Sequence, residues 1–320
     1  MDRAKIAVLI SGAGTNMAAL LYASRLADAP YEVVLVASND PAAPGLALAA
    51  LEGVPTFAHP HKGMTRDAHD TAMEAAVLKA GAEYIVLAGY MRILSDGFVA
   101  RWAGRMLNIH PSLLPKYKGL DTFARAIAAG DSHAGASVHL VTPDLDSGEV
   151  LAQARVAIAP GDTPASLAER VRFAEHQLYP RAVAEYVSRW RNPVWLLEQV
   201  RKRALALPET CEQDSFGSAG FRAGTGKSGK YFAYFSDRPH GHDRIALLVK
   251  AGGMDELHAL VEDQPDIYFK PAFYGASGWV GIVLDRPDLD WGDIDAWLER
   301  SWRAVAPKRL TRFMAIADEF

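Results

Sequence analysis

Four short apolar runs, at residues 5–10, 31–38, 54–58 and 84–88, recur early in the chain with helix-like stretches between them. A run that is apolar along its whole length fits a strand buried on both faces. Strands alternating with helices at this spacing predict a mostly parallel sheet covered by helices on both sides. The intervening helices are expected from residue 15 to about 26, over 46–51 and over 65–79, with Thr65 as N-cap and Gly81 just past the last of these. Further strands are expected at 106–109, 137–142 and 150–158, then a long helix over 163–187 with Pro164 in its first turn. In a sheet of this kind, ligands collect at the carboxyl ends of strands, where the strand order switches.

Two polar groups fall at such places, and a third lies on the loop after a later strand. Ser11-Gly12-Ala13-Gly14-Thr15-Asn16 follows the first strand and opens a helix, leaving free N–H groups that stabilise an anion. A dinucleotide fingerprint would need glycine at position 17, where Met17 stands, so a phosphate monoester suits the turn better. A tight turn capped by Thr15 or Asn16 explains the same residues. Asn108 and His110 lie two apart at the end of a strand and so share a face, before Pro111 and Pro115 end regular structure. They either aim an amide and a titratable group at one atom or cap the sheet. Asp144 and Asp146 follow the strand on which Ser137 and His139 share a face. A carboxylate brought to His110 by the fold would favour the imidazolium; Asp146-Ser147-Gly148 is also an ordinary turn sequence.

At 320 residues, two domains are expected. Half of the residues are hydrophobic and 22% are charged, which suits a globular protein with a sizeable core. The net charge of −4 divides into −1 up to Asn192 and −3 after it, which weighs against nucleic acid as the main partner. Cys211 is the only cysteine, excluding an internal disulfide or a Cys-rich zinc site. No apolar segment approaches the ~20 residues of a membrane span, and the first residues carry no long apolar h-region. A cytoplasmic location is expected.

Asn192-Pro193 marks a helix start, the helix running over 194–207 to Pro208. The sequence is then polar and Gly-rich to residue 230. Its GTGKSG segment (224–229) is not a nucleotide loop: Phe221 stands where the first glycine is required, and a strand-like YFAYFS follows instead of a helix. A hairpin connection explains it. Strands are expected at 231–235, 245–250 and 279–284, with a short helix around 255–262. A closing helix from Trp291 places Ile294, Trp297, Leu298, Trp302 and Val305 on one packing stripe. Five of the seven tryptophans follow Asn192, as a separate compact domain would need. His240 and His242 flank Gly241 without further candidate metal ligands.

The segments SGAGTN, GYMRIL, NIHPSLLPKYKG, GASVHLVTPDLDSG and AEHQLYP, in this order and spacing, resemble the glycinamide ribonucleotide formyltransferases of the folate-dependent formyltransferase superfamily. The resemblance implies a Rossmann-like catalytic domain over residues 1–191. Its reaction would pass the formyl group of 10-formyltetrahydrofolate to the amine of glycinamide ribonucleotide in de novo purine (IMP) synthesis, without a metal. It assigns Asn108 and His110 to the oxyanion of the tetrahedral intermediate and Asp146 to pairing with His110 and shuttling protons. Gly14, Thr15 and Asn16 would hold the phosphate and Glu175 the ribose hydroxyls. Arg66, Met91, Arg92, Ile93, Leu94, Asn108, Thr142, Pro143, Asp144, Leu145 and Asp146 would form the folate pocket. The chain departs from several relatives at Asp121 and Phe123, where those carry histidines. Arg172, one helical turn before Glu175, is either a phosphate contact or a surface arginine.

Residues 192–320 resemble the smaller YjbR/MmcQ-like α+β domains through RALALPE, KYFAYF, GASGWVGI and SWRAVAPKRL. That resemblance carries no chemistry. Some members are described as DNA-binding; the charge of −3 opposes that role here, leaving a local basic patch at Lys308, Arg309 and Arg312. The rival readings are a methionyl-tRNA formyltransferase, which expects a basic barrel-like C-terminal domain, and a formyltetrahydrofolate hydrolase, which expects a preceding regulatory domain. A non-catalytic folate or nucleotide sensor acting through the second half is the rival from a different class.

Overall fold

A computed structural model describes residues 3–215, 217–224, 229–238, 243–286 and 288–317, the last five by backbone alone. The chain divides into two compact units, Met1–Ser188 and Arg189–Phe320. Among the described residues no helix is long and apolar enough to cross a membrane.

The first unit is built on a seven-stranded sheet. Its strands are β1 (Ala4–Ile10), β2 (Tyr31–Ser38), β3 (Thr56–Ala58), β4 (Tyr84–Leu87), β5 (Met106–His110), β6 (His133–Leu140) and β7 (Val150–Ala157), in the order β3-β2-β1-β4-β5-β6-β7. β1 to β5 are mutually parallel, β6 runs antiparallel to them, and β7, antiparallel to β6, returns to their direction. The order reverses between β1 and β4, so their carboxyl ends form the switch point where a ligand crevice opens. The helices are α1 (Thr15–Ala23), α2 (Pro44–Leu51), α3 (Arg66–Lys79), α4 (Asp96–Arg101), α5 (Thr122–Ala128) and α6 (Pro164–Val187). Because side chains alternate along a strand, Ile6, Val8 and Ile10 of β1 join the core under α1 and α6, while Ala7 and Leu9 join that under α3 and α4. The fully buried Tyr179 of α6 donates to the carbonyls of Leu87 (2.8 Å) and Leu107 (3.2 Å), tying the helix across β4 and β5.

The chain departs from expectation where side chains compete with pattern. α1 stops at Ala23, and the strand expected at 137–142 instead spans His133–Leu140, because it pairs along the full edge of β7. Two short helices were not legible. α4 is started by Ser95, whose hydroxyl accepts the N–H of Phe98, and α5 by Asp121 in a left-handed conformation (φ 57°).

The second unit has a six-stranded antiparallel sheet, ordered β12 (Tyr268–Phe269), β13 (Trp279–Val283), β11 (Ile245–Lys250), β10 (Lys230–Asp237), β9 (Ser218–Ala223), β8 (Thr210–Ser215). α7 (Pro193–Ala204) and α9 (Trp291–Val305) cover one face, burying Leu196, Val200, Leu298 and Trp302 against Phe232 and Leu247. The amphipathic stripe of α9 supplies Ile294, Leu298 and Trp302 to that core. α8 (Met254–Asp263) and α10 (Lys308–Ala317) complete the unit. β8 and β9 occupy sequence too polar to signal strands. Residues 225–228 of GTGKSG and the pair His240 and His242 lie outside the described residues; β9 and β10, which flank GTGKSG, pair antiparallel. In the basic patch, Arg309 is paired with Glu209.

Candidate active site

His110 closes β5, and Asn108 precedes it on the same face. Antiparallel pairing sets His139 of β6 opposite Asn108 and Ser137 opposite His110. Ser137 braces the loop that follows: its hydroxyl donates to Ser112 O (2.6 Å) and accepts from Leu114 N (3.0 Å) and Gln153 Nε2 (2.8 Å). Within that loop, Lys116 and the Tyr117 hydroxyl both bind Asp131.

The loop returns a carbonyl to the histidine. His110 Nε2 lies 3.0 Å from Tyr117 O, and Nδ1 lies 3.3 Å from Asp146 Oδ2. Both ring nitrogens therefore face acceptors, and the form carrying hydrogen on both satisfies each of them. Asp146 is buried; its Oδ2 also accepts the Gly119 N–H at 2.9 Å. Tyr117 and Asp146 each have a positive φ (56° and 48°), a conformation that costs a non-glycine residue of order 1–3 kcal/mol. The two groups that hold His110 are thus both borne by strained backbone.

On the other side of Asp146 stands His139, its Nε2 3.6 Å from Oδ1. His139 Nδ1 lies 2.8 Å from Leu140 O, so Nδ1 carries the hydrogen and Nε2 accepts from Asn108 Nδ2 at 3.1 Å. Burial pushes this imidazole below its ordinary range, against the opposing pulls of the Leu140 carbonyl and Asp146, which keeps it neutral. One amide hydrogen of Asn108 is then committed to His139 and the other is left to point elsewhere. His139 was legible only as a strand residue alternating with Ser137. Its partnership with Asn108 follows from the β5–β6 register, which sequence does not reveal.

At the end of β1, Gly14 adopts φ 73° and starts α1 without a side-chain cap, leaving the first N–H groups of the helix uncapped by any side chain. Gly45 at the start of α2 closes on this turn: its N–H bonds Gly12 O at 3.1 Å, and a Cβ there would lie 2.6 Å from Ile10 Cδ1 and 3.1 Å from Gly14 Cα. Thr15 is exposed, and Asn16 Nδ2 donates to Glu175 Oε2 at 2.8 Å, linking α1 to α6. The buried Asn16 Oδ1 has no partner. Burial raises the Glu175 carboxyl above the usual range, against the Asn16 bond and the charges of Arg172 and His110. Arg172 is exposed.

The residues expected to form the folate pocket divide. Met91 and Ile93 expose 71% and 62% of their surface, apolar side chains left open beside the switch point. Leu94 instead enters the core with Phe98 and Trp102. Arg92 is half-buried, its Nε without a partner. Thr142, Pro143, Asp144 and Leu145 are exposed on the loop that ends at Asp146, the Thr142 hydroxyl bonding Asp144 O at 3.1 Å. Arg66 opens α3 in a surface recess of about 740 Å³ with Asp67, Ser95 and Asp96. Of the departures, Asp121 starts α5, and Phe123 packs against the core.

Residues 4–183 match the family described as "Formyl transferase", and residues 205–304 match the family described as "YjbR". The chain is 45% identical over 185 residues to the trifunctional purine biosynthetic protein adenosine-3 of Drosophila pseudoobscura pseudoobscura, covering 57% of this chain and 14% of that protein. It thus spans about a seventh of the length of that relative. It is 40% identical over 196 residues to the phosphoribosylglycinamide formyltransferase of Escherichia coli K12, covering 60% of this chain and 92% of that one. The crystal structure of the phosphoribosylglycinamide formyltransferase of Brucella melitensis superimposes with a TM-score of 0.56 at 46% identity, over 58% of this chain and 96% of that one.

Proposed function

The chain belongs to the formyl transferase family through residues 4–183, and from that premise we propose that it is a phosphoribosylglycinamide formyltransferase. It transfers the formyl group of 10-formyltetrahydrofolate to the amine of glycinamide ribonucleotide, a step of de novo purine (IMP) synthesis. The observation that carries this reading is the convergence of Asn108, His110 and Asp146, with Asp146 Oδ2 3.3 Å from His110 Nδ1 at the end of β5.

In this reading the amine attacks the formyl carbon, a C–N bond forms, and the carbonyl oxygen becomes an oxyanion. Asn108 offers the Nδ2 hydrogen not taken by His139. His110 offers its Nε2 hydrogen, which the substrate oxygen takes over from Tyr117 O, while Asp146 stabilises the imidazolium through Nδ1. Preorganised donors of this kind are each worth about 3 kcal/mol when aimed at developing charge. Collapse breaks the bond to folate N10, and a proton passes from the attacking nitrogen to N10, with Asp146 and His110 relaying it. The uncapped start of α1 at Gly14, Thr15 and Asn16 suits the substrate phosphate. Glu175, anchored by Asn16, suits the ribose hydroxyls, and the exposed Met91 and Ile93 with Leu145 offer the folate an apolar wall.

The test is to supply purified protein with both substrates and follow formylglycinamide ribonucleotide. Transfer is expected in the wild type and near-complete loss in His110→Ala and Asp146→Ala. Robust turnover in both variants overturns the assignment.

A further inference from the structure

The segment carrying Met91 and Ile93 is held at both ends by side chains that no role has yet been given. At one end the Met91 N–H donates to Ser11 Oγ at 2.8 Å, and Ser11 in turn donates to Asn39 Oδ1 at 2.5 Å. At the other end the Ser95 N–H donates to Asp70 Oδ2 at 2.6 Å. Asp70 is on the inner face of α3, where it and His69 are 1% and 0% exposed. Further along the same face, α3 buries Met73 and Val77, so packing alone would be served by an apolar residue here too.

The polar pair is incompletely satisfied. Asp70 Oδ1 and His69 Nδ1 face each other at 3.6 Å, both buried and without a hydrogen-bond partner, while His69 Nε2 lies 3.0 Å from His59 O. The Tyr90 hydroxyl and Arg92 Nε, on the segment itself, are buried and unpaired as well. Unpaired buried polar atoms cost about 1–3 kcal/mol each, and their gathering under one surface segment calls for a reason. Within this group, the bond that reaches the end of the segment is the clamp of Asp70 on Ser95 N–H.

We propose that Asp70, oriented by His69, is a positioning residue for the folate substrate: by clamping Ser95 N–H it fixes the path of residues 91–94, on which that substrate rests. This rests on the formyl-transfer reading of the site. Asp70 touches neither substrate, so its removal acts on the folate and not on the reacting atoms.

Asp70→Leu keeps the number and branching of the side-chain heavy atoms but leaves the buried Ser95 N–H without its acceptor. It is expected to raise KM for 10-formyltetrahydrofolate about tenfold, the equivalent of one bond of about 1.4 kcal/mol. KM for glycinamide ribonucleotide and kcat should stay within about twofold. Asp70→Asn, which keeps an oxygen for Ser95 N–H, should restore most of the loss. Glu74→Ala is the control: Glu74 joins α3 to the α4 end through Arg101 (2.7 Å) and Trp102 Nε1 (3.0 Å), its hydrogen bonds among the described residues going to these two side chains. It should lower stability and leave the folate KM alone. The proposal is overturned if Asp70→Leu leaves the folate KM unchanged, raises both KM values equally, or is matched by Glu74→Ala. Equilibrium titration with tetrahydrofolate alone separates this from the site assignment. A wild type that does not bind it refutes the formyl-transfer reading, whereas tight binding by wild type and Asp70→Leu alike refutes only the clamp.

Discussion

Replacing His139 by alanine isolates the histidine that touches Asn108 rather than substrate. The substitution removes the acceptor 3.1 Å from Asn108 Nδ2. A neutral hydrogen bond between buried groups is worth about 0.5–1.5 kcal/mol net. Without it the amide is free to turn its oxygen toward the developing oxyanion, where a carbonyl repels. If that bond is all that selects the orientation, kcat falls about tenfold, since 1.4 kcal/mol is a factor of ten. Asn108→Ala deletes the donor itself, and losing one such donor costs about 10²–10³ in kcat. The decisive measurement is the double variant in single-turnover formyl transfer, which reports chemistry rather than product release. His139 acts through Asn108, so once Asn108 is gone it has nothing to orient. The double variant should be no slower than Asn108→Ala. His139→Gln, with an oxygen to accept the same hydrogen, should recover most of the rate. If the two losses multiply in the double variant, His139 has an independent role and the reasoning is wrong.

The same histidine sets a pH dependence. Its folded pKa is depressed by burial, so its stability contribution is complete above the unfolded value of about 6.5 and is lost as the pH falls below it. Thermal melts of the wild type should therefore weaken with acid more steeply than those of His139→Gln below that pH, and parallel slopes would contradict the assignment. Gly45→Ala should push the 11–16 turn off its site, because the new methyl meets Ile10 Cδ1 at 2.6 Å and the Gly14 backbone at 3.1 Å. Overpacking of this kind costs about 1–3 kcal/mol; KM for glycinamide ribonucleotide should rise several-fold in steady-state assays.

Much of the fold was legible because its signals are local. A buried parallel strand is a continuous apolar run, and the residues 31–38 and 84–88 announce themselves as such. A helix with Asn192 before Pro193 declares its own start, and Asn192 Oδ1 indeed accepts the N–H groups of Val194 and Trp195. The less legible parts depend on partners far along the chain. Thr210–Ser215 is a strand because Ser218–Ala223 pairs with it, not because TCEQDS has an apolar pattern. The site divides the same way. Asn108, His110 and Asp146 stand out by residue type, but His139, Tyr117 and Gly119 act through a register, a main-chain carbonyl and a main-chain N–H. None of these leaves a chemical mark on the sequence. Gly45 and Asp70 were hidden for the opposite reason: a glycine at the start of a helix and an aspartate within a helix are too common to draw notice.

The latch made by α6 has a bearing on how the protein is born. Glu175 meets Asn16 across the unit, and the Tyr179 hydroxyl ties β4 to β5. Every residue assigned to the site thus lies before Ser188, yet the site is incomplete until the chain has been made as far as Tyr179. A nascent polypeptide halted after β7 would carry Asn108 and His110 on their strand but lack Glu175 to meet Asn16 and Tyr179 to tie β4 to β5. Once α6 has cleared the ribosome, the first unit has all its parts while the second is still being synthesised, so loss of the later unit through a premature stop should leave behind a product with its catalytic centre whole.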